Sequence, residues 1–287
     1  MKKMLRKMEL LLDSSFFELR NFLKWLIHFK YASLKEKNSN IGEKLVLVCN
    51  GPSAKEFPFE AYKNHEYTFC CVNDFALSEE LFRHIKPKFY CLVDTAYGAP
   101  GYKDTEVGRE LTRIFENVDW EMNIICYKGR HLVLENKNIH YRYVNSNPWS
   151  GELNRLKYFL YKNNLASTGF QNVSIAALFY FIMSGVDSVV LTGVENDWHR
   201  ELVVEANNDV CREYVHFYGV EKINVTEAGQ IGRGELYKYF EWYVYTLKQH
   251  SMIAKFAEKA NVKIENSCMH SFIDAYLKSP PLTENET

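Results

Sequence analysis

The stretch LVLVCNGPS, Leu45 to Ser53, sets five apolar residues directly against Asn-Gly-Pro-Ser. An apolar run that short, stopped by Gly-Pro, reads as a buried strand meeting a turn. Outward from it the same pattern recurs. Strands are expected at 44–50 (KLVLVCN), 67–73 (YTFCCVN), 87–94 (PKFYCLVD), 122–127 (MNIICY), 187–193 (DSVVLTG) and 262–266 (VKIEN). Helical patterns fall between them at 54–63, 77–85, 105–118, 151–163, 170–185 and about 234–260, with a last helix near the C-terminus. HLVLEN and IHYRYVN read as short extended pieces. Strands alternating with helices predict an α/β fold with a mostly parallel sheet flanked by helices. In such sheets ligands bind beyond the carboxyl ends of the strands. That rule points to the loops beginning at Asn50, Asn73, Asp94 and Gly193.

Three regions follow from the chain pattern: a basic amphipathic helix and linker over 1–40, the main domain over 44–278, and a polar tail over 279–287. In the first, Leu5, Met8, Leu12, Phe16, Leu19, Leu23 and Leu26 recur at helical spacing. Nine basic residues against four acidic ones leave this segment about +5, and the remainder about −6. Such a helix suits an anionic membrane surface. It suits equally well packing on its own domain or on a partner helix.

The 287 residues are enough for one large domain with a full core. A formal net charge of −1 provides no overall basic field, which argues against general nucleic-acid binding. Seven cysteines form no CxxC pair and mostly sit in apolar runs, so they read as reduced, buried thiols of a cytosolic protein. No secretory signal and no apolar run long enough to span a bilayer is present, so peripheral attachment to the inner face of the cytoplasmic membrane is the expectation.

The chemistry-bearing residues gather at strand ends. Asn50 and Asn73 can each offer an amide donor and acceptor to a base or ribose. Gly51 permits close backbone approach, Pro52 suits the turn, and Ser53 can cap a following helix. Ser167, Thr168 and Gly169 precede an apolar helix and could cradle an anion or a ribose, or simply cap it. Thr192, Gly193, Val194 and Glu195 close the strand at 187–193. His216 lies in an aromatic run, where it is a candidate base or a hydrogen-bonded core residue; His199 is the reserve. Glu195 and Asp197 also permit an acidic metal-diphosphate reading. There is no Walker loop and no GxGxxG.

Taken in order, NGPS, a strand-end Asn, STG before an apolar helix, TGVE, a His in REYVHFYG, and the closing KFAEKANVKIENSCMHSFIDAY resemble the bacterial glycosyltransferase family 42 sialyltransferases, over about 44–276. More distantly, NGPS resembles motility accessory factor glycosyltransferases and a pterin pyrophosphokinase group of related fold. The resemblance implies a modified Rossmann-like fold, a sialyltransferase-like GT-A variant, and a metal-free inverting glycosyltransferase that uses a CMP-sugar as co-substrate. The donor would be CMP-sialic acid or another CMP-nonulosonic acid, and the acceptor a lipid-linked or surface oligosaccharide of lipopolysaccharide, O-antigen or capsule. Homo-oligomers are compatible with it. It implies nucleotide or donor contacts from Asn50, Gly51, Pro52, Ser53, Asn73, Ser167, Thr168, Gly169 and Thr192 to Glu195, with His216 as general base. Asp94 stands where the family has an Asn. The family's phosphate-binding tyrosine pair is replaced by ENDWHR, which leaves Tyr214, Tyr218, His199 or Arg200 for that role. Two other readings stay open: a UDP-sugar transferase with metal at Glu195 and Asp197, and a non-catalytic, membrane-associated nucleotide-binding protein.

Overall fold

A computed structural model describes residues 19–23, 25–26, 42–149, 151, 154–216 and 219–283. Its centre is a sheet of eight strands: β1 (Lys44–Val48), β2 (Thr68–Val72), β3 (Phe89–Leu92), β4 (Met122–Cys126), β5 (Ile139–Tyr143), β6 (Ser188–Thr192), β10 (Lys263–Asn266) and β11 (Leu277–Lys278). The order is β11-β10-β6-β1-β2-β3-β4-β5, and every pairing is parallel. The chain lays down β1 to β5 in one direction, then crosses back to place β6 on the other side of β1. This puts the topological switch point between β1 and β6, where α/β sheets open a ligand crevice. The expected parallel α/β architecture is therefore met.

Strand alternation builds two cores. Leu45, Leu47 and Cys49 face one side with Cys70, Cys91 and Ile125, under α4 (Asn154–Lys162), α5 (Val173–Ser184) and α6 (Leu236–Ala260). Val46 and Val48 face the other with Cys71, Tyr90 and Ile124, under α1 (Phe59–Asn64), α2 (Glu79–Ile85) and α3 (Glu106–Glu116). Residues from Ser174 to Met183 of α5 are all buried, as expected for a helix that is apolar all round. All seven cysteines are buried and unpaired, and burial raises their thiol pKa values.

Several segments differ from the sequence reading. The helix expected over 54–63 is divided into a 3-10 turn, Pro52–Glu56, and α1, because Pro58 has no N–H to continue the ladder. HLVLEN forms no strand, and only its successor becomes β5. The C-terminal helix does not form. Residues after Asn266 instead turn back against the end of β6: Ser267 Oγ donates to Leu191 O at 2.6 Å and Ser271 Oγ to Val194 O at 2.6 Å. Phe272 N donates to Glu195 O at 2.7 Å. The chain then adds β11 and ends beside α1, where Leu282 N donates to the Tyr62 hydroxyl at 3.2 Å.

A separate antiparallel sheet, β7 (Leu202–Val204), β8 (Val210–His216) and β9 (Gly219–Asn224), stands over a small core of Val210, Val225, Ile231 and Tyr239. Residues 19–23 and 25–26 are helical. Asn21 is buried, the Trp25 ring lies 6.0 Å from Trp149, and Trp25 Nε1 donates to Leu165 O at 3.2 Å. Leu19, Leu23 and Leu26 stay exposed on the other side. The rest of the 1–41 segment lies outside the described residues. No described helix is long and apolar enough to cross a membrane.

Candidate active site

A cleft of about 880 Å³ opens above the carboxyl ends of the central strands. Its walls include Asn50, Gly51, Pro52, Asn73 and Asp94, together with Gly193, Val194 and Glu195. The strand-end residues of β1, β2, β3 and β6 thus meet at one place, as the topology requires.

Two of the loops are laced together. Cys49 N donates to Thr192 O and Gly51 N to Gly193 O, both at 2.9 Å. Gly193 N donates to Ser53 Oγ at 3.1 Å, and Ser53 N donates to Glu195 Oε1 at 2.6 Å. Ser53 therefore joins two strand ends; it does not cap a helix, since the 3-10 turn begins after Gly51 without a side-chain cap. Both glycines are sterically required. A Cβ on Gly51 would lie 1.5 Å from Glu195 Oε2, and one on Gly193 would lie 2.2 Å from Cys49 O, at a φ of +68°. Cys268 is buried against this junction, where the carboxylate of Glu195 adds to burial in raising its thiol pKa.

On the second strand end, Asn73 adopts φ +47°, a left-handed conformation that Asn tolerates. The buried Tyr90 hydroxyl fixes it, donating to Asn73 O at 2.7 Å and accepting from Ala76 N at 2.8 Å. Asp94 accepts from Ala96 N at 2.9 Å, which ties its carboxylate to its own turn. After these bonds are counted, Asn50 Oδ1, Asn73 Oδ1, Glu195 Oε2 and Asn196 Nδ2 remain buried without a hydrogen-bond partner among the described residues. All four belong to residues that line the cleft. A buried polar atom left unpaired costs about 1–3 kcal/mol, which makes these four residues the candidates for ligand contact in the cleft.

The STG segment sits behind the cleft wall. Ser167 and Thr168 are buried, and Gly169 N donates to Ser167 Oγ at 3.2 Å. The apolar helix begins later, at Val173, and its cap is Asn172, whose Oδ1 accepts from Ile175 N at 3.1 Å. Phe170 to Ser174 line the cleft in its place. The α6 residue Gln249 holds this wall: its Oε1 accepts from Gln171 N at 2.8 Å and its Nε2 donates to Thr168 O at 3.4 Å. Tyr127 and Phe170 close that side as a near-parallel aromatic pair, 6.5 Å between centroids.

On the opposite side, His199 contacts Phe272 edge-on at 4.2 Å and Tyr243 at 5.6 Å, and it does not line the cleft, although Trp198 and Arg200 do. Thr192 is buried within the end of β6. Tyr214 and His216 belong to β8 by backbone; Tyr218 lies outside the described residues. Asp197 lines the cleft 3.7 Å from Arg200. No group of three or more His, Cys, Asp or Glu among the described residues is placed to hold a metal ion.

Asn196, Trp198, Arg212, Tyr127 and Phe170 also line the cleft, beyond the residues expected from the motifs. Asn196 carried a readable signal, an Asn just past a strand-end glycine turn. It sits at φ +52°, with its carbonyl accepting from the Tyr243 hydroxyl at 2.9 Å.

Compared with family models and with curated proteins, the sequence matches none. Solved structures do match. The chain is similar to the sialyltransferases CstII and Cst-I. The sialyltransferase CST-II in complex with trisaccharide acceptor and CMP shares 16% identity at a TM-score of 0.45, over 83% of this chain and 86% of that one. CstII from Campylobacter jejuni in complex with cytidine-5'-monophosphate shares 15% at 0.39, over 83% and 85%. The monofunctional alpha-2,3-sialyltransferase Cst-I from Campylobacter jejuni shares 12% at 0.43, over 85% and 82%.

Proposed function

We propose that the chain is an inverting glycosyltransferase that moves sialic acid or a related nonulosonic acid from a CMP-sugar to a bacterial surface glycan. The observation that carries this reading is the set of four unpartnered polar atoms, from Asn50, Asn73, Glu195 and Asn196, around one cleft at the switch point of a parallel sheet. Three are oxygens, which suits a ligand rich in donors, such as ribose hydroxyls and an exocyclic amine. The ordered motifs from NGPS to REYVHFYG support the CMP-sugar class in particular.

Transfer with inversion needs a base to take the acceptor hydroxyl proton as that oxygen attacks the anomeric carbon, while CMP departs with the bonding electrons. His216 is the proposed base. The aromatic packing of His199 between Phe272 and Tyr243 suits a structural ring and weighs against it. The donor's phosphate needs fixed positive charge, since negative charge builds there as the bond breaks. The proposed setting is cytoplasmic, with the helical residues 19–23 and 25–26 presenting Leu19, Leu23 and Leu26 to the membrane that carries the acceptor.

A second reading, a UDP-sugar donor used with a divalent metal, is favoured by the excess of carboxylates lining the cleft, Glu195 and Asp197 among them. A thermal-shift screen with CMP, UDP and GDP, with and without Mn²⁺, separates the two. Stabilisation by CMP alone, reaching about 2.7 kcal/mol at a hundredfold excess over Kd, is the expected result. A response to UDP that requires Mn²⁺ would replace the first reading with the second.

A further inference from the structure

We propose that Arg212 is the phosphate-binding residue of this cleft, in the place expected for tyrosines; the inference rests on the nucleotide-sugar reading above. The cleft walls carry five carboxylates, from Asp94, Glu195, Asp197, Glu201 and Glu213, and among described lining residues only two cations, Arg200 and Arg212. Among the charged side chains of that surface, only the two guanidinium groups attract a nucleotide phosphate. The N-terminus of α5 opens on the same cleft, but Asn172 already caps it through Ile175 N.

The two arginines differ in how they are held. The Arg200 side chain is 60% exposed, 3.7 Å from Asp197 and 5.1 Å above the Phe272 ring. It is an exposed rim charge, screened by water. Arg212 is 8% exposed. Its Nε donates to Glu201 Oε2 at 2.6 Å, and its guanidinium lies 5.2 Å from the Trp198 ring centroid and 5.9 Å from that of Tyr239. A guanidinium has five N–H donors in a rigid fork, and a carboxylate bound at Nε fixes the direction of the remainder. Aromatic faces add a cation–π hold without consuming an N–H donor. The result is a cation whose orientation is set before any ligand arrives, which is what stabilising a departing phosphate requires.

This pair is also costly to keep. Both partners are nearly buried, at 10% and 12% side-chain exposure, and a buried ion pair contributes little to stability compared with apolar residues of the same shape. Its position on a cleft wall, four residues before His216 on β8, has a ready explanation in ligand binding.

The test compares CMP with cytidine, which differ only by the phosphate, in calorimetric titrations of the full chain. Wild type should bind CMP more tightly than cytidine. Arg212→Met should weaken CMP by about 10- to 100-fold, the range of a charge-assisted hydrogen bond, and leave cytidine within about twofold. Arg212→Lys should fall between, and Arg200→Met should change the CMP-to-cytidine ratio by less than about threefold. Where Arg212→Met lowers Tm too far for titration, Arg212→Lys decides. An unchanged CMP-to-cytidine ratio in folded Arg212 variants, or equal losses for both ligands, overturns the role of Arg212 alone. Wild type binding neither ligand overturns the nucleotide reading beneath it.

Discussion

Acid should loosen this protein through one histidine that the chemistry does not use. His250 lies on α6, fully buried, with Nδ1 hydrogen-bonded to the Tyr276 hydroxyl at 2.9 Å and Nε2 without a partner. Burial disfavours the imidazolium and lowers its pKa from 6.5 to about 3. Between those values the unfolded chain takes up a proton that the folded chain refuses. Stability is therefore complete above pH 6.5 and is lost progressively as the pH falls toward 3. At pH 5 the loss spans ~1.5 pH units at about 1.36 kcal/mol each, or about 2 kcal/mol. Other groups titrate over the same range, so the informative quantity is a double difference. Urea unfolding at pH 7.5 and pH 5.0 should show wild type losing about 2 kcal/mol more than His250→Gln. With an m-value near 3 kcal/mol/M, that is a midpoint difference of roughly 0.7 M. Equal pH-dependent losses in the two proteins would refute the claim that His250 is held neutral, whatever the variant's stability at pH 7.5. The neighbouring Gln249 ties α6 to the cleft wall, so acid weakening of this helix should also reduce ligand-induced stabilisation below pH 6.

Three further outcomes are expected. Asn50→Ala removes a buried oxygen with no protein partner, so it should raise the ligand-free Tm by about 2–4 °C while abolishing stabilisation by nucleotide; an unchanged ligand response in a thermal-shift assay counts against the cleft. Gly51→Ala should destabilise by about 2 kcal/mol through the collision with Glu195, and Glu195→Ala in the same chain should restore part of that in urea titrations; no recovery means the collision is not the cause. Trp25→Ala removes a half-buried ring packed on Trp149 and the bond to Leu165 O, and should lower stability by about 2 kcal/mol; a change near zero by chemical denaturation would separate this helix from the domain.

How far the sequence could be read depended on how local the cause was. The central strands stood out because a parallel strand with both faces covered is an apolar run, as in Leu45–Cys49 and Phe69–Val72. Their ends stood out because topology alone directs those loops to one edge of the sheet. The single helix expected over 54–63 passed over Pro58, whose missing N–H explains the break. The C-terminal segment misled because its apolar spacing fits a helix, while its fate is set by carbonyls at the end of β6, some 76 residues earlier in the chain. Arg212 was hidden for the same reason. Nothing adjacent to it in CREYVH announces a buried cation, and its partners Glu201, Trp198 and Tyr239 come from elsewhere in the chain.

The pairing of NGPS with TGVE has an architectural cause that precedes any ligand. Gly51 leaves the space that the Glu195 carboxylate occupies, and Gly193 leaves the space for Cys49 O. Ser53 and Glu195 then exchange hydrogen bonds with the opposite loop. A chain that brings these two strand ends side by side needs both motifs to close the junction, so their joint appearance reflects the sheet's switch point first. The same holds for the acidic pair Glu195 and Asp197: one oxygen of Glu195 is already committed to Ser53, and Asp197 faces Arg200. What speaks for a ligand is the remainder, the polar atoms that the lacing does not consume. Asn50 Oδ1 and Asn73 Oδ1 come from the two strand ends read first, and Asn196 Nδ2 from the residue just past TGVE. Their lack of partners costs free energy, and under the proposed function it is met by a ligand that donates to the two amide oxygens and accepts from the Asn196 amide.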